Sequence, residues 1–123
     1  MLTCQAQADD LLAKGQVNFL SGSDQLDGSA LRVLNNLASV ITPCAAAGMK
    51  AEIGGHTDSS GEPRDNLALS QQRATAVRKA LILRGVPSAM LRALGHGAAM
   101  PIADNTTDAG KALNRRTTIT WSE

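Results

Sequence analysis

The chain has 123 residues, the usual length of one domain with a single hydrophobic core. Hydrophobic residues make up 43% and charged residues 19%, which excludes a disordered chain, and the aromatic content of 2% leaves aliphatic side chains to fill the core. The formal net charge of +1 excludes a strong electrostatic footprint for nucleic acid, and no apolar run reaches the ~18–20 residues that a membrane-spanning helix needs. The N-terminal residues lack the basic and apolar regions of a signal peptide, so we expect either a cytosolic protein or one domain, residues 1–123, of a larger exported protein.

Helical and strand patterns alternate from the start of the chain. Residues 5–12 can form a short helix, and residues 16–20, QVNFL, alternate polar and apolar side chains as a half-buried strand does. A second helix is expected to begin at Ser29 or Asp27, either of which can cap it, and to end at Pro43. Its core residues are predicted to be Leu31, Leu34, Leu37, Ala38 and Ile41.

The second half of the chain continues the alternation. We predict strands over residues 51–55, 90–97 and 115–121, and a long helix over residues 66–84. Residues 98–114 are polar and are expected to be irregular. Strands separated by helices of this length indicate βαβ units whose helices cover one face of a small sheet.

The two cysteines, Cys4 and Cys44, are too far apart for a CxxC metal or redox motif. A disulfide between them would close a loop of about forty residues, contribute roughly 3–4 kcal/mol and imply an oxidising compartment. Two buried free thiols fit the spacing equally well.

An arginine interrupts the apolar face of the predicted long helix. At about 100° per residue, Arg73 falls among the residues that should pack on the sheet, and a buried guanidinium needs an anion. Asp58, in the turn after the preceding strand, is the nearest candidate by connectivity. The two residues either form a structural salt bridge, which the residues alone favour because internal ion pairs outnumber ligand sites, or bind a ligand that carries an amine and a carboxylate. The apolar residues of this face are Leu69, Ala76, Val77 and Ala80.

A long ordered motif surrounds these two residues. It reads GGHTDSSGEPRDNLALSQQRATAVRKALILRGV and, further on, LGHGAAMPIADNTTDAGKALNRRTTI. The motif resembles the OmpA-like C-terminal domain, which also occurs in MotB-type flagellar stator proteins and binds peptidoglycan, and the resemblance extends over residues 17–121. It implies an α/β (α+β) two-layer sandwich with a βαβαβ-β core, in which helices cover one face of a small mixed sheet.

The resemblance also implies a site for the meso-diaminopimelate of the peptidoglycan stem peptide. Asp58 and Arg73 match the family residues that hold it, and their chemistry suits a zwitterion, because a carboxylate binds its ammonium and a planar guanidinium binds its carboxylate with two hydrogen bonds. The further matching positions are Thr57 and Asn66, which line the pocket, Arg116, which borders it, and Asp24, in the loop after the first strand. His96 and Lys111 depart from the Tyr and Arg more common in the family, at the rim of the site.

The resemblance further implies a periplasmic, wall-associated location in the cell envelope, with the parent protein anchored in the outer membrane or elsewhere in the envelope. It favours the disulfide between Cys4 and Cys44, implies no cofactor, and limits membrane contact to parts of the parent outside this chain. It leaves homodimerisation open. The competing hypothesis is a domain of the same fold that serves protein interaction or dimerisation, against which the retention of Asp58 and Arg73 argues.

Catalysis, metal binding and phosphate binding are each less well supported by the residues. His56, Asp58 and Ser59 or Ser60 have the residue types of a hydrolytic triad, but such triads are assembled from distant parts of a chain. His56 and His96 lack a third metal ligand at suitable spacing, and the glycines after the strand lack the Lys-Ser/Thr of a phosphate loop. We therefore expect a protein that is not an enzyme and holds no metal.

Overall fold

The computed structural model describes residues 3–123, in which four α-helices pack with a three-stranded sheet. Residues 1 and 2, the start of the predicted single domain, lie outside the described range. The elements are α1 (Cys4–Lys14), α2 (Gly28–Ala46), β1 (Lys50–His56), α3 (Pro63–Leu83), a 3-10 turn (Ser88–Met90), β2 (Leu91–Gly97), α4 (Asp108–Asn114) and β3 (Arg116–Ser122).

The central strand of the sheet is β1, which lies parallel to β2 and antiparallel to β3. Helix α3 connects the two parallel strands and contacts both, while α1 contacts β3 and α2 contacts β1. Ala51 and Ile53 of β1 and Ile119 of β3 are buried towards these helices. This arrangement confirms the two-layer α/β fold with a small mixed sheet.

The core is aliphatic, as the composition predicts, and is centred on α2. Leu34, Leu37 and Ile41 are fully buried. The prediction for Leu31 is wrong, because its side chain is 51% exposed. Ala30, which is fully buried, provides the first core contact of α2 instead, four residues before Leu34.

Helix α2 passes the predicted stop at Pro43 and ends at Ala46. Its start is capped by Asp27, whose carboxylate accepts a hydrogen bond from the backbone N–H of Ala30 at 3.0 Å. Proline removes one helical hydrogen bond, but Cys44 beyond it is buried and joined to Cys4 by a disulfide, with a Cα–Cα distance of 6.2 Å. Packing and the cross-link therefore hold the last turn, and the expected disulfide is confirmed.

The predicted strand over residues 16–20 is wrong. Within the part of the chain that the structure describes, this segment pairs through one isolated bridge between Phe19 and Leu26, and its backbone does not join β3. The side chain of Gln16 meets β3 instead, since its carbonyl oxygen accepts from the N–H of Thr117 at 3.0 Å.

Gln5 occupies the next positions along the same outer edge of β3. Its amide donates to the carbonyl of Ile119 at 2.6 Å and accepts from the N–H of Trp121 at 2.9 Å. Glutamine side chains thus take hydrogen-bonding positions that a fourth strand would need.

Side chains of α3 cover the outer edge of β2 in the same way. The Gln71 amide donates to the carbonyl of Ala93 at 3.2 Å and accepts from the N–H of Gly95 at 2.8 Å, and the Ser70 hydroxyl accepts from the N–H of Gly97 at 2.9 Å. Both edges of the short sheet therefore have polar partners without further strands.

The segment predicted to be irregular, residues 98–114, contains helix α4 at its end. The hydroxyl of Thr107 caps α4 by accepting from the N–H of Gly110 at 3.0 Å. A Cβ at Gly110 would overlap the carbonyl of Asp104, so the glycine allows the preceding loop to pack against the helix. None of the helices within residues 3–123 combines the length and the apolar character that crossing a membrane requires.

Candidate ligand-binding site

A cleft with a volume of about 510 Å³ opens where β1 ends. One wall is the segment from Val17 to Gly22, and the other includes the end of β1 and the start of β3. Three arginines line it: Arg73 from α3, Arg115 from the junction after α4, and Arg116 from β3. The cleft is therefore strongly cationic for its size and suited to an anionic group.

Arg73 holds the loop that forms the first wall. Its Nε donates to the carbonyl of Ser23 at 2.8 Å, and its guanidinium lies 5.0 Å from the centroid of the Phe19 ring. Burial lowers the pKa of Arg73, the nearby charge of Arg115 lowers it further, and the carboxylate of Asp24 opposes both effects. Neither terminal nitrogen of Arg73 donates a hydrogen bond to a residue that the structure describes, so both can bind a ligand carboxylate.

Asp58 does not pair with Arg73 within residues 3–123, so the first of the two alternatives, a structural salt bridge between them, is wrong. The Oδ2 atom of Asp58 accepts from Nη1 of Arg115 at 2.6 Å, and Oδ1 accepts from the backbone N–H of Ser60 at 2.8 Å. Burial raises the pKa of Asp58, but the hydrogen bonds from Ser60 and Arg115 outweigh it, so the pKa is lowered and the group is a carboxylate at neutral pH. Arg73 is held by the loop around Phe19, which leaves Arg115 to neutralise Asp58.

Asn66 and Thr57 stabilise the turn that carries Asp58. The Asn66 amide donates to the carbonyl of Ser60 at 2.8 Å and, more weakly, to that of Asp58 at 3.4 Å. The backbone N–H of Thr57 donates to the carbonyl of Gly97 at 2.9 Å. Its buried hydroxyl has no hydrogen-bond partner within residues 3–123, and Thr57 is not among the residues that line the cleft.

Arg116 and Asn114 organise the long loop between β2 and α4. Arg116 donates to the carbonyls of Asn114 at 3.2 Å and Met100 at 2.9 Å. The fully buried Asn114 accepts from the N–H groups of Ile102 at 2.7 Å and Ala103 at 2.9 Å. Asn114 and Arg115 were not among the predicted site residues, although both belong to the NRR motif that the sequence shows.

His56, which lines the cleft, stacks on His96, with ring centroids 4.9 Å apart and planes inclined by 17°. The Nε2 atom of His56 lies 3.0 Å from the hydroxyl oxygen of Thr118. Burial lowers the pKa of His56 to about 4, and the positive charges of Arg116 and His96 contribute to the shift. His56 is therefore neutral at neutral pH.

The contacts of His56 and Asp58 do not form a hydrolytic relay. His56 is hydrogen-bonded to Thr118, while Asp58 is bound to Arg115 and to the backbone of Ser60. Nucleophile, base and orienting carboxylate would have to contact one another in sequence. The described contacts therefore do not bring the residues of such a relay together.

The fold and the cationic cleft define a small α/β binding domain. The chain belongs to the OmpA family, whose model matches residues 18–115.

Curated relatives are longer than this chain. It is 42% identical over 106 residues to the probable lipoprotein YiaD of Escherichia coli K12. The aligned residues make up 86% of this chain and 48% of YiaD. This chain is 35% identical over 105 residues to the peptidoglycan-binding protein ArfA of Mycobacterium tuberculosis H37Rv. The aligned residues make up 85% of this chain and 32% of ArfA. The chain thus spans about half the length of one relative and about a third of the other.

A solved structure matches almost the whole chain. The crystal structure of the peptidoglycan-associated lipoprotein from Burkholderia pseudomallei superposes with a TM-score of 0.77 at 32% identity, covering 98% of this chain and 100% of that one. The two folds are therefore similar over nearly the whole length of both chains.

Proposed function

We propose that the chain binds peptidoglycan non-covalently and anchors a larger envelope protein to the cell wall. Membership of the OmpA family supports this, as do the names of two relatives, one peptidoglycan-binding and the other peptidoglycan-associated. The chain matches only part of its curated relatives, which fits a role as the wall-binding domain of a longer protein. The role is binding without catalysis, in the periplasm, where the disulfide between Cys4 and Cys44 is stable.

The ligand group is the meso-diaminopimelate of the stem peptide. The observation that carries this assignment is Arg73, whose terminal nitrogens donate no hydrogen bond within residues 3–123 and which shares the cleft with Arg115, the ion-pair partner of Asp58. The distal end of diaminopimelate carries an ammonium and a carboxylate on one carbon. Asp58 binds the first, and the guanidinium of Arg73 binds the second with two parallel hydrogen bonds.

The other predicted residues surround these two groups. Thr57 directly precedes Asp58 and fixes the start of the turn through its backbone hydrogen bond to Gly97, and Asn66 keeps the turn in the shape that presents Asp58. Arg116 forms the far wall, and Asp24 balances the charge of Arg73 from the loop side.

Binding of one stem is modest in strength. Each charge-assisted hydrogen bond contributes about 1.5–3 kcal/mol, so a few of them, less the cost of ordering the ligand, give dissociation constants from about micromolar to millimolar. Attachment to a parent protein beside a repeating wall raises the effective affinity without new contacts.

Nuclear magnetic resonance can test this proposal with ¹⁵N-labelled protein and soluble muropeptides from a diaminopimelate-type wall. We expect saturable shifts at the backbone amides of residues 17–24 and 55–60, which border the cleft and carry Asp58. Lysine-type muropeptides, which lack the distal carboxylate, should give weaker shifts. If the muropeptides cause no shifts, or shifts only on α1 and α2, the cleft is not a wall-binding site, and a protein-interaction role becomes the better account.

A further inference from the structure

We propose that Arg115 occupies, in the free domain, the position on Asp58 that the ligand ammonium takes, so that the ligand must displace Arg115 in order to bind. Arg115 is then a specificity residue. A ligand with an ammonium replaces it on Asp58, whereas a ligand that carries only a carboxylate leaves it in place. This inference rests on the proposed function.

Asp58 is largely buried, and Arg115 already neutralises its charge. Its side chain is 11% exposed, and both carboxylate oxygens already accept hydrogen bonds. The bond to Oδ1 comes from the backbone of Ser60 and is part of the turn itself, so it cannot be given up without opening that turn. An incoming ammonium that pairs with Asp58 meets the positive charge of Arg115, whose Nη1 lies 2.6 Å from Oδ2, and the repulsion between the two cations favours exchange.

Arg115 is able to leave. Its side chain is 48% exposed, and its only side-chain hydrogen bond within the described residues is the one to Asp58. Its backbone is fixed at the end of α4, where its N–H donates to the carbonyl of Lys111 at 3.1 Å, so the side chain can turn towards solvent while the strand stays in place. Arg116, by contrast, is held by two carbonyls.

The charges of the cleft favour this exchange. Arg115 lies near enough to Arg73 for its charge to depress the pKa of Arg73, so the two guanidinium groups repel each other in the free domain. A ligand zwitterion replaces this arrangement with two matched pairs: its ammonium faces Asp58, and its carboxylate faces Arg73. A ligand without the ammonium binds Arg73 and leaves Arg115 on Asp58.

Calorimetry with two peptides tests the exchange. One is the tripeptide L-alanyl-γ-D-glutamyl-meso-diaminopimelate, and the other has 2-aminopimelate in the last position, which keeps the distal carboxylate and lacks the distal ammonium. The measured quantity is the preference, defined as the dissociation constant of the aminopimelate peptide divided by that of the diaminopimelate peptide. A general loss of positive charge weakens the binding of both peptides alike and cancels in this ratio. A change in the preference therefore reports the competition at Asp58.

In Arg115→Ala we expect the preference to rise about fivefold over wild type, the order expected when a half-exposed ion pair no longer has to be broken. Arg115→Gln, which removes the charge but keeps a hydrogen-bonding side chain, should shift it in the same direction and serves if the alanine variant fails to fold. Arg92→Ala removes an exposed arginine from β2, far along the sheet edge, and should leave the preference unchanged.

The outcomes separate the two proposals. If wild type binds the diaminopimelate peptide but the preference stays constant or falls in both Arg115 variants, Arg115 is a ligand contact or a structural residue and the exchange is wrong. If neither peptide binds the folded wild type or any folded variant, the proposed function fails and the exchange fails with it.

Discussion

Replacing Arg73 with alanine should weaken the fold as well as the site, because Arg73 holds the loop of the first cleft wall. The variant loses the hydrogen bond to the carbonyl of Ser23 and the contact with the ring of Phe19. A hydrogen bond from a charged donor contributes about 1.5 kcal/mol or more, and a partly exposed cation–π contact about 0.5–1 kcal/mol. The free energy of unfolding should therefore fall by about 2 kcal/mol, which lowers Tm by about 8 °C in a domain of this length.

Urea and thermal unfolding of the oxidised protein, followed by circular dichroism, measure this effect. Phe19→Leu separates the two contributions, because it removes the cation–π contact and keeps the hydrogen bond to Ser23. It should lower the free energy of unfolding by about half as much as Arg73→Ala. Arg92→Ala provides the matched control for loss of one arginine and should lie within about 0.5 kcal/mol of wild type.

A result in which Arg73→Ala is as stable as wild type would refute this reasoning. The loop would then hold its position without the guanidinium, and the presence of an arginine in the apolar face of α3 would be explained by the ligand alone. If the free energy of unfolding falls by about 2 kcal/mol but the variant still binds the ligand, Arg73 holds the loop and does not bind the ligand carboxylate.

Three further predictions concern the scaffold. Burial holds the pKa of His56 at about 4, whereas histidine in an unfolded chain titrates near 6.5, so the unfolded state binds more protons between these values and the free energy of unfolding falls as the pH drops through this range. Urea titrations at pH 7 and 4.5 should show a smaller loss in His56→Gln than in wild type, and an equal loss would show that His56 does not contribute. Gln71→Ala leaves two backbone groups of the β2 edge without their partner and should cost about 1–3 kcal/mol in urea unfolding, while the exposed neighbour Gln72→Ala should be neutral. The double variant Cys4→Ser with Cys44→Ser should lose about 3–4 kcal/mol relative to the oxidised protein, and unchanged stability would mean that the cross-link does not constrain the unfolded chain.

The elements that sequence patterns predicted correctly are those whose burial follows a local period. The spacing of Leu34, Leu37 and Ile41 defined the buried face of α2, and alternating residues defined β3. The strand over residues 16–20 was wrong because the edge of β3 is filled by side chains, and the contact between Gln16 and Thr117 spans 101 residues of sequence. Helix α4 was missed because it is short and contains Gly110, although Thr107 followed by Asp108 is a recognisable helix start.

The sequence identified two of the residues that line the cleft, Arg73 and Arg116. Asp58 does not line it and meets it through the ion pair with Arg115. The sequence did not identify Arg115 as the partner of Asp58, because three arginines line the cleft and chain connectivity does not say which one reaches the carboxylate. Arg73 contacts Ser23, 50 residues away, and this long-range contact decides that Arg115 neutralises Asp58.

Co-sedimentation with purified diaminopimelate-type sacculi tests the central claim most directly. Wild type, Arg73→Ala and the control Arg92→Ala would be compared, with folding of each checked by circular dichroism. The account predicts that wild type and Arg92→Ala pellet with the sacculi and that Arg73→Ala stays in the supernatant while folded. If all three folded proteins pellet equally, wall binding does not use the cleft, and if none pellets, the domain does not bind peptidoglycan by itself.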